Sequence, residues 1–536
     1  MTSHKNLTIC FLAFVILVFA VLFNNYYGNI GVHPIDTFAH LDSGYNILNG
    51  KHPIKDLWII SGILIDYIQA LFFQIFGINF NSLVYHASFF NALVSLALFF
   101  LLVSNKMDIF LSFFFSISVA ILCYPVSGTP FPYLHSYILS LISIFIFIQC
   151  VKKNKNIYWF FLPLLMFFSF FSMQMPSGLI NLILLISVFS YLIISKDKKN
   201  FYFFLTGSVF SVFIFLAFLY LTKIPIESFI VQYLLFPLSI GEARITGTEH
   251  GWYGASLSNK LTLRGAFGHF KFIHLFLLGF VFIIIRSFFS EKNKNISKNV
   301  FLNINIVLFS FSFMFHQLIT GNQTFIFSLI PILAGLFCLQ VNQNFKNEKV
   351  IKILTIIVVI FVTLKYHQEY NVKRKFHDLK PIDLTKSVDG INLHKKFEGL
   401  NWISTLYPEN PNGEIEFLKE TFQSIRNDKK NVMVITHYQF FSFVLEKYLN
   451  NPNRWYFMGN NTFPSSSDNK YFSDYKKYFS NMLDKKSVER IYIIKASPEG
   501  NSRLSIEFFK QYLSNKCFEN KRINPMTTVH TVKNCN

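Results

Sequence analysis

Residues Ser82 to Val103 read SLVYHASFFNALVSLALFFLLV, an apolar stretch without a single Asp, Glu, Lys or Arg. A helix of about 20 residues, rising roughly 1.5 Å per residue, covers the roughly 30 Å of hydrocarbon in a bilayer. Ten further runs repeat the pattern: Leu7 to Phe23, Ile109 to Tyr124, Tyr133 to Val151, Tyr158 to Phe171, Gly178 to Ile194, Phe201 to Leu221, Phe272 to Ile285, Val300 to Ile319, Phe325 to Val341 and Val350 to Tyr366. The sequence therefore predicts an all-α polytopic membrane bundle of about eleven spans. Composition agrees, because 52% of the 536 residues are apolar, only 15% are charged and 68 are Phe, too little charge to solvate a globule of that size.

The remaining segments divide the chain into three units. Residues 1–366 form the membrane domain, with outer loops at about 24–81 and 222–271. Residues 367–536 form a soluble tail. Within the first loop, Leu64 to Phe76 is short and carries Asp66 and Gln69, which predicts an interfacial or re-entrant helix rather than a span. In the tail, Asn431 to Thr436 and Arg490 to Lys495 read as buried strands, and Glu414 to Arg426 and Phe440 to Leu449 as amphipathic helices, which together predict a small α/β domain.

The net charge of +20 invites a nucleic-acid partner, but its placement speaks against one. Lys-rich loops at Lys152 to Asn156, Ser195 to Asn200, Arg286 to Asn299 and Asn342 to Lys349 follow every second span, as the positive-inside rule expects of cytoplasmic loops. The first run has no cleavage site and reads as a retained span. The expected topology has a cytoplasmic N-terminus and an extracytoplasmic tail, in which Cys517 and Cys535 are either disulfide-bonded or two free thiols.

Acids are scarce before Tyr366, and four of them, Asp36, Asp42, Asp56 and Asp66, crowd into the first loop among His33, His40 and His52. A carboxylate near a membrane surface loses solvation and becomes a better base, although a helix cap is the competing role for Asp36 and Asp42. A divalent ion on His33, His40, His52 and Asp56 is conceivable, but no tight ligand spacing demands it. Polar residues also gather at the Pro-rich turn Tyr124 to His135 and at His316 to Thr324, where a wet cavity or interhelical hydrogen bonds are the two readings. There is no Gly-rich phosphate loop and no zinc-protease motif.

The ordered set Asp36, Gly50, Pro53, Asp56 and Tyr67 to Gly77 resembles the first extracytoplasmic loop of GT-C glycosyltransferases, the class that includes protein mannosyltransferases and lipid A aminoarabinose transferases. The resemblance implies an inverting transferase that takes a sugar from a polyprenyl-phosphate carrier on the periplasmic face of a bacterial inner membrane. The implied acceptor is an envelope glycan, lipid or protein, with membrane lipids as further partners and no nucleic acid. It casts Asp36 as the general base. It casts His40, Asp42, Asp56, Trp58, His135, Arg244, His250, Arg264, His316, Asn322 and Gln323 as substrate-binding, with Arg244 and Arg264, alongside His250 and His269, set against charge on the departing phosphate. The chain has His135 where many members carry a second acid, and Leu57-Trp-Ile-Ile-Ser61 where they carry Lys-Pro-Pro. The alternatives are an O-antigen polymerase or ligase, which leans on loop arginines, and a lipid-linked glycan flippase or transporter, which expects charges within the spans.

Overall fold

The computed structural model describes residues 2–248, 255–289, 298–321, 324–344, 348–457, 459–496, 504–513 and 516–535. The chain opens with α1 (Thr2–Gly28), and the first loop adds α2 (Pro34–Thr37), α3 (Leu41–Leu48) and α4 (Ile63–Phe76). The bundle continues through α5 (Phe80–Ser104), α6 (Ile109–Leu122), α7 (Pro132–Lys153), α8 (Asn156–Ser172), α9 (Gln174–Ser195) and α10 (Lys198–Thr222). The second loop holds α11 (Ile226–Phe229), α12 (Phe236–Thr246) and α13 (Leu257–Lys260) before α14 (Lys271–Phe289), α15 (Lys298–Ile319), α16 (Leu329–Asn344) and α17 (Glu348–Tyr366).

Nine helices among the described residues are long and apolar enough to cross a membrane, and the expected spans at α8 and α16 form shorter apolar helices. They are helices because no water is available in hydrocarbon, and only an internally bonded backbone survives there. Their ends are set by sequence. Asp108 accepts from Leu111 N at 2.9 Å, Asp197 from Asn200 N at 3.1 Å and Asn79 from Ser82 N at 3.0 Å, capping α6, α10 and α5. Burial ranks the helices: 89% of the apolar stretch of α7 is buried, against 17% for α1 and 22% for α10, so α7 is central, whereas α1, α9, α10 and α14 present Phe11, Ile194, Tyr220 and Leu278 outward.

The two ends of the bundle differ in chemistry. At one end, turns containing Lys153 and Lys196 are tied together, with Lys153 Nζ donating to Ser104 O at 2.6 Å and Asn154 Nδ2 to Asp197 Oδ2 at 3.1 Å. At the other end lie both loops and the tail. Arg374, fully buried just past α17, donates to the carbonyls of Ile30 (3.1 Å), Pro125 (2.8 Å) and Ser127 (3.1 Å), stitching the start of the first loop to the Pro-rich turn.

The tail contains the two-residue pair β1 (Val388–Asp389) and β2 (Asn401–Trp402), then α18 (Pro411–Asn427), β3 (Val432–Thr436), α19 (Phe441–Leu445), α20 (Phe472–Lys485), β4 (Arg490–Ile494), α21 (Ile506–Phe509), β5 (Lys516–Arg522) and β6 (Thr527–Asn534). The larger sheet has the order β3-β4-β6-β5, with β3 parallel to β4 and the other pairs antiparallel. Both expected strands are present. The helix expected over Phe440 to Leu449 is confined to α19, because Glu446 turns into a left-handed conformation (φ 54°) and ends it. Cys517 and Cys535 are disulfide-bonded across the β5–β6 hairpin.

Alternation along β3 sends Val432 and Val434 to one face and Met433 and Ile435 to the other. The first face packs on α18 and α19 together with Val32, Phe38, Leu41 and Tyr45 of the first loop. The second packs on α20 together with Trp58 of the first loop and Phe236 and Ile240 of the second. Residues 367–536 thus share both of their hydrophobic cores with loops of the membrane domain. Backbone pairing reinforces the join: Gly31 N donates to Asn401 O (2.9 Å), Val32 N to Ile403 O (2.8 Å) and Trp58 N to Pro452 O (2.8 Å).

Candidate active site at the junction of the first loop and the tail

Asp36 sits in the one-turn helix α2, whose Pro34 presets the first helical φ. Its side chain is 21% exposed, and Oδ2 lies 3.2 Å from His33 Nδ1 in an ion pair. The other ring nitrogen of His33 is 3.9 Å from Asp378 Oδ2. Burial disfavours the charged imidazolium, yet the contact with Asp36 and the charges of Asp36 and Asp378 outweigh it, so His33 titrates above the usual histidine range. His437, at the end of β3, lies within electrostatic reach of both His33 and Asp36; burial and the His33 charge push it down to about 4, so it is neutral.

The other acids of the first loop are committed elsewhere. Asp66 is fully buried, with Oδ1 accepting from His40 Nδ1 (2.7 Å) and Ser43 Oγ (2.6 Å), and with Oδ2 ion-paired to the fully buried Arg454. Because a carboxylate only accepts, the His40 proton is on Nδ1, and burial followed by the Arg454 charge keeps the ring neutral. Gly62, at φ +82°, makes room for this cluster: a Cβ there would stand 2.7 Å from Arg454 Nη1 and 2.9 Å from His40 Cε1.

Asp42 caps α19 of the tail, accepting from Phe443 N at 2.8 Å. Burial raises its pKa to about 7, against the lowering effect of the backbone donors of Phe443, Ser442 and Phe441. A folded pKa raised from 3.8 means that this group contributes most below pH ~4 and that its contribution is lost as pH rises towards 7. Between pH 5 and 7.5 the purified protein is expected to lose about 3 kcal/mol of stability through Asp42, read as a falling melting temperature. Asp42→Asn, which keeps an acceptor oxygen but cannot ionise, is expected to flatten that slope.

Asp56 Oδ2 accepts from His52 N at 3.1 Å and borders a crevice with ≈ 10 Å³ of water-accessible space, shared with Lys51, His52 and Tyr448. That is room for a single water, not for a sugar. Trp58 is buried, its indole packed edge-on against Tyr475 at 5.1 Å and Phe236 at 6.0 Å, so it is a core residue. His33, His40 and His52 go to different partners, the last to the Tyr67 hydroxyl at 2.9 Å. Among the described residues no group of three or more His, Cys, Asp or Glu side chains could hold a metal ion.

His135 belongs to a buried chain linking the Pro-rich turn, α7, α5 and α4. Gln69 Oε1 can only accept, so His86 donates from Nδ1 at 3.0 Å and its Nε2 accepts from His135 Nε2 at 2.9 Å. That leaves His135 Nδ1 as the acceptor for the Tyr124 hydroxyl. Every proton points the same way, and the expected cavity-lining role of His135 becomes an interhelical hydrogen bond. His316 stacks on Tyr133 at 4.6 Å, and Gln317 Nε2 donates to the Tyr133 hydroxyl at 2.6 Å. Arg244, at the end of α12, lies within electrostatic reach of His316. Arg264 lines an open hollow of ≈ 520 Å³ with Lys260, Thr262, Gly265, Gly268 and His269. His250, Asn322 and Gln323 lie outside the described residues.

These two regions are joined by one short segment. Lys375 lies within electrostatic reach of His269, whose burial, followed by the Lys375 charge, pushes it down to about 4. Three residues later Asp378 reaches His33. Across so few residues the Cα atoms are at most about 11 Å apart. Nothing local in the sequence marks Lys375, Asp378, His437 or Arg454, since each acquires a partner only through folding. No protein-family model matches the chain, and no curated protein matches it.

Proposed function

We propose that the chain is a membrane glycosyltransferase, GT-C-like in layout, that moves a sugar from a polyprenyl-phosphate carrier to an envelope acceptor. The reaction would run on the periplasmic side of a bacterial inner membrane. The observation that carries this reading is that a hollow bearing Lys260 and Arg264 and an acid, Asp36 beside His33, lie at the same end of an apolar bundle, with the Lys375–Asp378 segment reaching His269 of the hollow at one end and His33 at the other. The tail's disulfide and the gathering of Lys-rich turns at the opposite end support this orientation.

In this mechanism Asp36 takes the proton of an acceptor hydroxyl as its oxygen bonds to the anomeric carbon. The bond from that carbon to the phosphate oxygen breaks with inversion, and the electron pair leaves on the polyprenyl phosphate. Arg264 beside Lys260 offsets the charge building on that phosphate. His33, whose pKa is raised by Asp36 and Asp378 against the effect of burial, orients Asp36.

The test uses membranes containing the full chain, with labelled polyprenyl-phosphate hexoses as donors. Incorporation into envelope material is expected, and Arg264→Ala is expected to lower it about 10-fold or more, as removal of one charge-stabilising donor does. Absence of incorporation from every donor, with the protein folded in the membrane, would refute the proposal.

A further inference from the structure

A turn of the tail domain places two large aromatic side chains at the edge of the Asp36 site. Trp455 is only partly buried, and its Nε1 donates to the carbonyl of Ile35 at 3.1 Å, holding the indole against the turn that bears Asp36. Phe457 is 44% exposed. Thr462 fixes the turn, its Oγ1 accepting from Phe457 N at 3.1 Å and donating to Trp455 O at 3.2 Å.

His437 lies beside this turn. Its ring centroid is 6.2 Å from that of Phe457 and 6.0 Å from that of Tyr456. It is 4% exposed, and its Nδ1 is buried with no hydrogen-bond partner among the described residues. A buried ring nitrogen left unpaired costs free energy, and such an atom beside a functional residue calls for a ligand. A sugar ring supplies what is missing: its C–H face stacks on an aromatic ring, and a rim hydroxyl serves a ring nitrogen in either tautomer.

We infer that Trp455, Phe457 and His437 form a subsite for a sugar ring of the acceptor, which presents one hydroxyl to Asp36, and hence that the acceptor is a glycan rather than a peptide. This inference rests on the assignment of Asp36 as the base, but it is tested separately from it. The full chain in lipid nanodiscs is mixed with methyl β-glucoside, maltose, chitobiose and an α-linked mannobiose, and saturation-transfer NMR reads contact at the ring protons. At least one sugar is expected to show ring C–H saturation in the wild type and, reduced by no more than a few-fold, in Asp36→Asn, whose amide oxygen still accepts from the same hydroxyl. Combining Trp455→Leu with Phe457→Leu is expected to reduce that signal 10-fold or more, and His437→Phe, which keeps the ring stacked but removes its nitrogens, several-fold.

Phe457→Leu alone, at an exposed position, keeps the test valid should the double variant misfold. Failure of all four sugars to give saturation with the wild type, or an unchanged signal in the folded variants, overturns the inference and leaves the two aromatics as anchors at the membrane surface. Sugar contact retained while Asp36→Asn still transfers would instead remove the base assignment and leave the subsite standing.

Discussion

Asp36→Asn is expected to lower sugar transfer by about 10²–10⁴-fold, the usual loss when a positioned general base is removed. Asn fills the same space at a side chain that is 21% exposed, so the melting temperature is expected to change little at a pH high enough for His33 to be neutral in the wild type as well. A second readout separates catalysis from architecture. His33 owes its raised pKa to Asp36 and Asp378, so the imidazole should titrate lower in Asp36→Asn. The sign follows from linkage: a histidine raised in the folded state adds stability below its unfolded pKa of about 6.5 and loses it as pH rises through the folded value. Undiminished transfer by a folded Asp36→Asn protein would eliminate Asp36 as the base.

The largest expected effect on stability is at Arg454. Its guanidinium and the Asp66 carboxylate are both fully buried and ion-paired across 388 residues of chain, and Nη1 also donates to Ser61 O at 2.6 Å. Removing one member of a buried pair strands the other's charge, which costs about 3–5 kcal/mol. Arg454→Met is therefore expected to release the tail from the first loop, seen as protease sensitivity between residues 367 and 457 and a lower melting temperature. Asp66→Asn combined with Arg454→Met leaves no stranded charge and is expected to recover more than half of the loss. Additive effects of the two substitutions would show that the pair does not hold the join.

Burial explains why this pair is not legible locally. Asp66 reads from its surroundings as the polar mark of an interfacial helix, and α4 does form there as a short helix. Its partner lies in a tail segment, Asn453-Arg454-Trp455, with no periodicity or motif of its own. Asp42 illustrates the same limit: capping is a role the sequence admits, but the helix it caps is α19, some 400 residues away. Arg264 and His269 are near in sequence and share one hollow, so their proximity is readable in advance. Trp58, a bulky aromatic in a candidate loop, is instead core, because burial by α12 and α20 cannot be read from its neighbours.

Apolar run length alone determines the bundle, since a membrane leaves the backbone only the choice of helix, and two short continuous apolar runs mark β3 and β4 of the tail, whereas β5 and β6 contain no such run. What folding alone decides is which long-range pairs form. The division at residue 366 follows composition, whereas the cores cross it: Phe38 and Leu41 share one side of the tail's sheet with Val432 and Val434, and Trp58 shares the other with Met433 and Ile435. Hydrophobic burial and ion pairing depend on distance in space, and a linear sequence carries distance only along the chain.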